Sequence, residues 1–123
     1  MFTPNLGFVL LFVANPLKSS LFYQDIFGIK PIESSPTFVM FALSNGIMLG
    51  LWSRYTAEPH VAAPAGALEI CFPADDVDAL FEQWGSKMVT MAQKPTDMDF
   101  GRTFVALDPD GHRIRVYKLA GAQ

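Results

Sequence analysis

The sequence has little charge: Lys, Arg, Asp and Glu make up 17% of its 123 residues, with a net charge of −3. So sparse and mixed a set builds no basic stripe, which argues against nucleic acid as a partner. Cysteine occurs once, at Cys71. A lone cysteine excludes an internal disulfide and suits a reducing compartment, so a cytoplasmic location is expected. Cys71 falls within an apolar strand pattern, where a small buried hydrophobe is expected. Long apolar runs are missing as well. The longest, "LGFVLLFVA", is far short of the ~20 residues that span a bilayer, and "MFTPNLG" lacks the cationic start of a secretory signal.

What is abundant is apolar: half of all residues, with 11 phenylalanines. For a small chain, expected to be a single domain over 1–123, that is more than one core absorbs. A partner surface or a greasy cavity is expected, and with it a homodimer.

Along the chain one plan occurs twice. "FVLLFVANPLKSSLFYQDIFG" reads as a strand, an Asn15 cap with Pro16 at the first helical position, and a helix with the stripe Leu17, Leu21, Phe22 and Ile26 that Gly28 stops. "EICFPADDVDALFEQWGSK" repeats it. The strand Glu69 to Phe72 precedes a cap at Asp75 or Asp76, then the stripe Val77, Leu80, Phe81 and Trp84, ended by Gly85. After each helix come β signals around a hairpin turn: "TFVMFAL" and "IMLGLWSR" about Ser44-Asn45-Gly46, "GRTFVAL" and "HRIRVYKL" about Asp108-Pro109-Asp110-Gly111. The reading is α+β, with βαβββ units at 5–54 and 67–119 joined by an Ala- and Pro-rich linker at 55–66. In "RIRVY", period two sends Arg113, Arg115 and Tyr117 to one face and Ile114 and Val116 to the other.

This pattern resembles the vicinal-oxygen-chelate superfamily, which includes the glyoxalase, bleomycin-resistance and extradiol-dioxygenase proteins. "SSLFYQDIFG" and "FGRTFVALDPDGHRIRVY" carry the likeness. "TPNL", Leu51-Trp52-Ser53 and "TDMDFGRTFVALDPDGHRIRV" are most similar to its phenazine-antibiotic-resistance branch. The resemblance implies two tandem units forming a curved mixed sheet around a cavity. In metal-using relatives, ligands come from the first and last strands of each unit. By pattern those positions here are Phe8, Gly50 (or, one residue shifted, Leu49), Glu69 and Arg115. Phe and Gly offer no donor and Arg115 is a fixed cation, so no metal and no cofactor are expected. His60 lies in the linker, and His112 begins the last strand on the face opposite Arg115. A Glu69–Arg115 pair in place of a metal is the alternative use of these two groups.

With Phe8 turned into the cavity, Leu10 and Phe12 share its face and Val9, Leu11 and Val13 back onto the helix. Met48, Gly50 and Trp52 form a second strip, Gly50 leaving room for a ring edge. Arg113, Arg115 and Tyr117 form a third. For the middle strands, Phe38 with Met40, or Val39 with Phe41, remain alternatives, and Arg102 with Phe104 is equally open. Each aromatic alone is as well explained as core. Together, such a wall suits a planar, partly anionic aromatic ligand, with Arg115 or Arg102 meeting its acidic group. The function expected is metal-free sequestration of a phenazine-like antibiotic or metabolite. The alternatives are a metal-dependent lyase, isomerase or dioxygenase of the same fold, a metal-free enzyme with Glu69 as general base, and a dimeric module without a small-molecule ligand.

Overall fold

A computed structural model describes residues 2–121. The chain divides into two compact units, Met1–Ala63 and Pro64–Gln123. The first contains β1 (Phe8–Val13), α1 (Pro16–Phe27), β2 (Glu33–Ser34), β3 (Phe38–Ala42) and β4 (Met48–Ser53). The second contains β5 (Glu69–Pro73), α2 (Val77–Gly85), β6 (Thr90–Met98), β7 (Gly101–Leu107) and β8 (Arg113–Leu119). The two sheets have the same order, β1-β4-β3-β2 and β5-β8-β7-β6, with the outer pairs β1–β4 and β5–β8 parallel. Each unit is thus a βαβββ repeat in a mixed four-stranded sheet, as the sequence pattern requires.

In the first unit, Asn15 caps α1 by accepting from the Lys18 N–H, and Pro16 opens the helix. Gly28, left-handed at φ 70°, donates its N–H to the Gln24 carbonyl and ends it. The packed face differs from the Leu17–Leu21 stripe. Pro16, Ser19, Ser20, Tyr23 and Ile26 are buried, whereas Leu17 and Leu21 are exposed and Phe22 is half-buried. Two serines let the helix sit close to the sheet, and Tyr23 and Phe27 then supply the bulk against Phe41 (centroids 6.5 and 6.4 Å). Hydropathy alone favours the leucines; the close approach of helix to sheet favours small residues. Behind α1, Leu11, Val13, Val39, Phe41, Leu49 and Leu51 form the buried layer.

The second unit builds its layer from Phe104, Ala106, Ile114 and Val116, with Phe81 and Trp84 of α2 each 5.4 Å from the Phe104 ring. Asp76 is the cap, accepting from the Ala79 N–H. Gly85 is not the stop: it is the last helical residue, Ser86 caps in a right-handed conformation, and the chain turns at Met88, φ 62°. β6 carries Pro95 inside it. It tolerates a missing N–H because it is an edge strand, and its register shifts between Gln93 and Thr96. Gly101 starts β7 at φ 145°, where a Cβ would lie 2.1 Å from the Lys118 carbonyl oxygen, so only glycine fits. In the closing turn, the buried Asp108 carboxylate accepts from the Asp110 and His112 N–H groups. No helix among the described residues is long and apolar enough to cross a membrane.

Candidate ligand-binding faces

In each unit one sheet face is spent on the helix, and period two delivers the alternate residues to the other face. In the first unit the register pairs Phe8 with Met48, Leu10 with Gly50 and Phe12 with Trp52 on the face away from α1. β3 pairs Phe38 with Trp52 and Met40 with Gly50, whereas Val39 and Phe41 are fully buried with the α1-facing layer. The open alternative is thereby decided: Phe38 and Met40 join the Trp52 face. Trp52 is half-buried, its ring 6.0 Å from Phe12 at a 34° tilt and 6.5 Å from Phe38 edge-on. Each such aromatic pair adds about 0.5–1.5 kcal/mol beyond area burial.

Gly50 is not an open slot. A Cβ there would meet Leu10 Cδ2 at 2.6 Å and the Phe38 ring at 3.0 Å. Two neighbouring side chains fill the space that the missing Cβ leaves, because a dry void would forfeit their contacts. Phe8 and Leu10 remain substantially exposed.

The face away from α2 is polar. Here the register pairs Glu69 with Arg113, Cys71 with Arg115 and Pro73 with Tyr117. The Arg115 guanidinium donates to both Glu69 oxygens, at 2.7 and 3.0 Å, and from Nη1 to Gln93 Oε1 (3.2 Å) and Thr103 Oγ1 (3.1 Å). Thr103 is available as an acceptor because its own hydroxyl donates to the Val116 carbonyl at 2.7 Å. The Phe100 ring lies 6.0 Å from the guanidinium carbon. Hydrogen bonds from Arg115, aided by the charges of Arg115 and Arg113 and opposed by burial, hold the Glu69 carboxyl below its usual range. The same pairing raises Arg115 further. Gln93, Thr103 and Phe100 were not singled out in the sequence. Thr103 was findable, since its spacing of two from Val105 puts it on the Arg115 face once the hairpin register is known.

Three expectations need correcting. Cys71 is exposed rather than buried, because β5 is an edge strand and Cys71 is on its helix-free face. Its thiol is pushed up by partial burial and by the Glu69 charge, so it stays protonated at neutral pH. Arg102 does not join Arg115. It shares the helix-side parity of Phe104 and donates to Asp78 of α2 (2.7 and 2.9 Å) and to Asp97 of β6 (3.0 Å). Arg115, expected to await an acidic ligand group, has its charge matched by Glu69 and its donors largely engaged. Tyr117 is half-buried on the Arg115 face.

A metal does not fit the positions that the fold family offers. Phe8 and Gly50 carry no donor, Arg115 repels a cation, and both Glu69 oxygens are taken by arginine. Among the described residues, no three of His, Cys, Asp and Glu gather as a cation would require.

Tandem βαβββ units with these sheet orders define a glyoxalase-like fold. The chain belongs to the Glyoxalase/Bleomycin resistance protein/Dioxygenase superfamily, whose family model matches residues 5–116. It is 38% identical over 122 residues to the phenazine antibiotic resistance protein EhpR of Enterobacter agglomerans, a match covering 95% of this chain and 92% of that protein. A protein from Agrobacterium tumefaciens, solved in solution, is 46% identical with a TM-score of 0.87 over 97% of this chain and 100% of that one. A glyoxalase-related enzyme from Fulvimarina pelagi shares the fold at 18% identity, with a TM-score of 0.83 over 94% of this chain and 88% of that one.

Proposed function

We propose that this protein binds a flat aromatic antibiotic or metabolite of the phenazine type and sequesters it without metal chemistry, so conferring resistance. The similarity to a phenazine antibiotic resistance protein supports the reading. The observation that carries it is the face away from α1, where a half-buried Trp52 stands between Phe12 and Phe38 with Met40 and Met48 alongside. Flat rings stack on such aromatics, and thioethers pack adaptably around them. Glu69 is a poor candidate for a general base, because pairing with arginine lowers its proton affinity. A two-fold homodimer is the proposed assembly, supported by the exposed Leu17, Leu21, Ile32 and Leu68. Its single thiol suits the reducing cytoplasm, the proposed location.

The test is a titration with phenazine, read as saturable quenching of tryptophan emission. Trp84→Phe removes the other indole, which is buried on α2, and should leave both quenching and affinity unchanged. Tight binding that survives Trp52→Ala would refute this face as the site. Sedimentation as a clean monomer at micromolar concentration would refute the dimer.

A further inference from the structure

The face away from α2 has a second use, carried by an imbalance between its two arginines. Arg115 makes four hydrogen bonds, to Glu69, Gln93 and Thr103. Arg113 has one ion-pair contact, from Nη2 to the Glu69 oxygen that Arg115 also uses. Its Nε is buried with no acceptor among the described residues, and its side chain is 42% exposed. One carboxylate therefore faces two guanidinium groups, leaving a net charge of +1 (two positive, one negative). A buried N–H without an acceptor is costly to leave so, and an arginine fork matches a carboxylate.

What surrounds Arg113 selects the kind of anion. In register, Leu107 lies opposite it and Val105 opposite Arg115, with Cys71 on the other side of Arg115. The Phe100 ring stands near the Arg115 guanidinium. A single surplus charge in an apolar and thiol setting fits a monoanion with an apolar body. A dianion such as phosphate calls for more counter-charge than this face holds.

We propose that this face is a binding site for a flat organic monocarboxylate, with Arg113 as the group that receives the carboxylate. Arg115 acts as a positioning residue: it holds the Glu69 carboxylate, so that Arg113 can offer donors that Glu69 does not saturate. This inference does not rest on the aromatic face of the first unit.

The probes are 1-naphthoate, its amide 1-naphthamide, and inorganic phosphate, each titrated calorimetrically into the full chain. Naphthoate should bind about tenfold or more tighter than the amide, phosphate should not bind measurably, and naphthoate should slow alkylation of the exposed Cys71. Arg113→Gln should abolish the preference for the acid, and Arg113→Lys should keep part of it. If Arg113→Gln fails to fold, Leu107→Glu supplies the same test. It sets a carboxylate in register with Arg113 and should likewise erase the preference. Equal binding of acid and amide, phosphate binding as tight as naphthoate, or an acid preference that persists in Arg113→Gln or Leu107→Glu would each overturn the proposal. The phenazine titration reads the first unit through tryptophan emission, and this one reads the second through Arg113 and Cys71. Either can fail alone.

Discussion

The two units share a sheet order and, strand for strand, a register, yet their helix-free faces have opposite chemistry. Where the first unit pairs Phe8 with Met48, the second pairs Glu69 with Arg113; Leu10 with Gly50 answers to Cys71 with Arg115, and Phe12 with Trp52 to Pro73 with Tyr117. The middle strands diverge in the same way, with Phe38 beside Trp52 in one and Thr103 beside Tyr117 in the other. The helix-facing layers, by contrast, are alike: Val39, Phe41, Leu49 and Leu51 against Phe104, Ala106, Ile114 and Val116. The lesson is one of constraint. A face that must bury against a helix accepts only apolar residues of fitting size. The opposite face has no such partner within its unit, so it is free to be apolar in one repeat and ionic in the other.

The sharpest way to break the comparison is to truncate equivalent positions. Glu69→Ala leaves Arg113 and Arg115 without their counter-charge and should cost about 3 kcal/mol in chemical denaturation, toward the low end for a paired charge because the site is partly exposed. Phe8→Ala, at the matching position of the first unit, removes a ring that is 45% exposed and should cost well under about 1 kcal/mol. Equal costs would mean that the two faces are energetically alike.

Binding comes next. Trp52→Ala should weaken phenazine by about thirtyfold, or about 2 kcal/mol, as expected for a buried aromatic anchor. Fluorescence in the Trp84→Phe background measures it without interference. Gly50→Leu forces Leu10 and Phe38 aside and should destabilise by about 1–3 kcal/mol as overpacking does. It should also disturb phenazine binding, since Phe38 borders Trp52. Unchanged affinity in a folded Gly50→Leu protein would place the ligand off this face.

Acid should separate the units further. Glu69 is depressed below its ordinary value of 4.5, so its contribution is complete above that value and is lost as pH falls through the lower folded value. Glu69→Gln should therefore flatten the pH dependence of stability below 4.5. An unaltered slope would show that Glu69 is not the titrating link. The smallest effect belongs to Arg102→Ala. Its partners Asp78 and Asp97 are solvent-exposed, so any loss should be slight and should vanish at high salt.

How much of this was legible in advance varied with distance along the chain. The caps at Asn15 and Asp76, the hairpin turns and the alternation of "RIRVY" depend on a few neighbouring residues, and the structure follows them. So does the pairing of Glu69 with Arg115, which the repeat placed on equivalent strands before any contact was known. The α1 stripe was misjudged because hydropathy ranks Leu17 above Ser19, while the spacing of helix and sheet ranks them the other way.

By itself the sequence determined the local geometry and the parity of each strand: a tandem βαβββ chain, and which residues leave a strand together. Those are properties of short backbone stretches, set by sterics, capping and the two-residue pleat. Only the tertiary structure decided who meets whom. Arg115 finds Gln93 and Thr103 from 22 and 12 residues away, Leu10 and Phe38 close over Gly50, and Arg102 turns to Asp78 rather than to the Arg115 face. Such partnerships depend on the register between strands and on which helix covers which face. A long-range register is a property of the packed sheet, so no single stretch of sequence contains it.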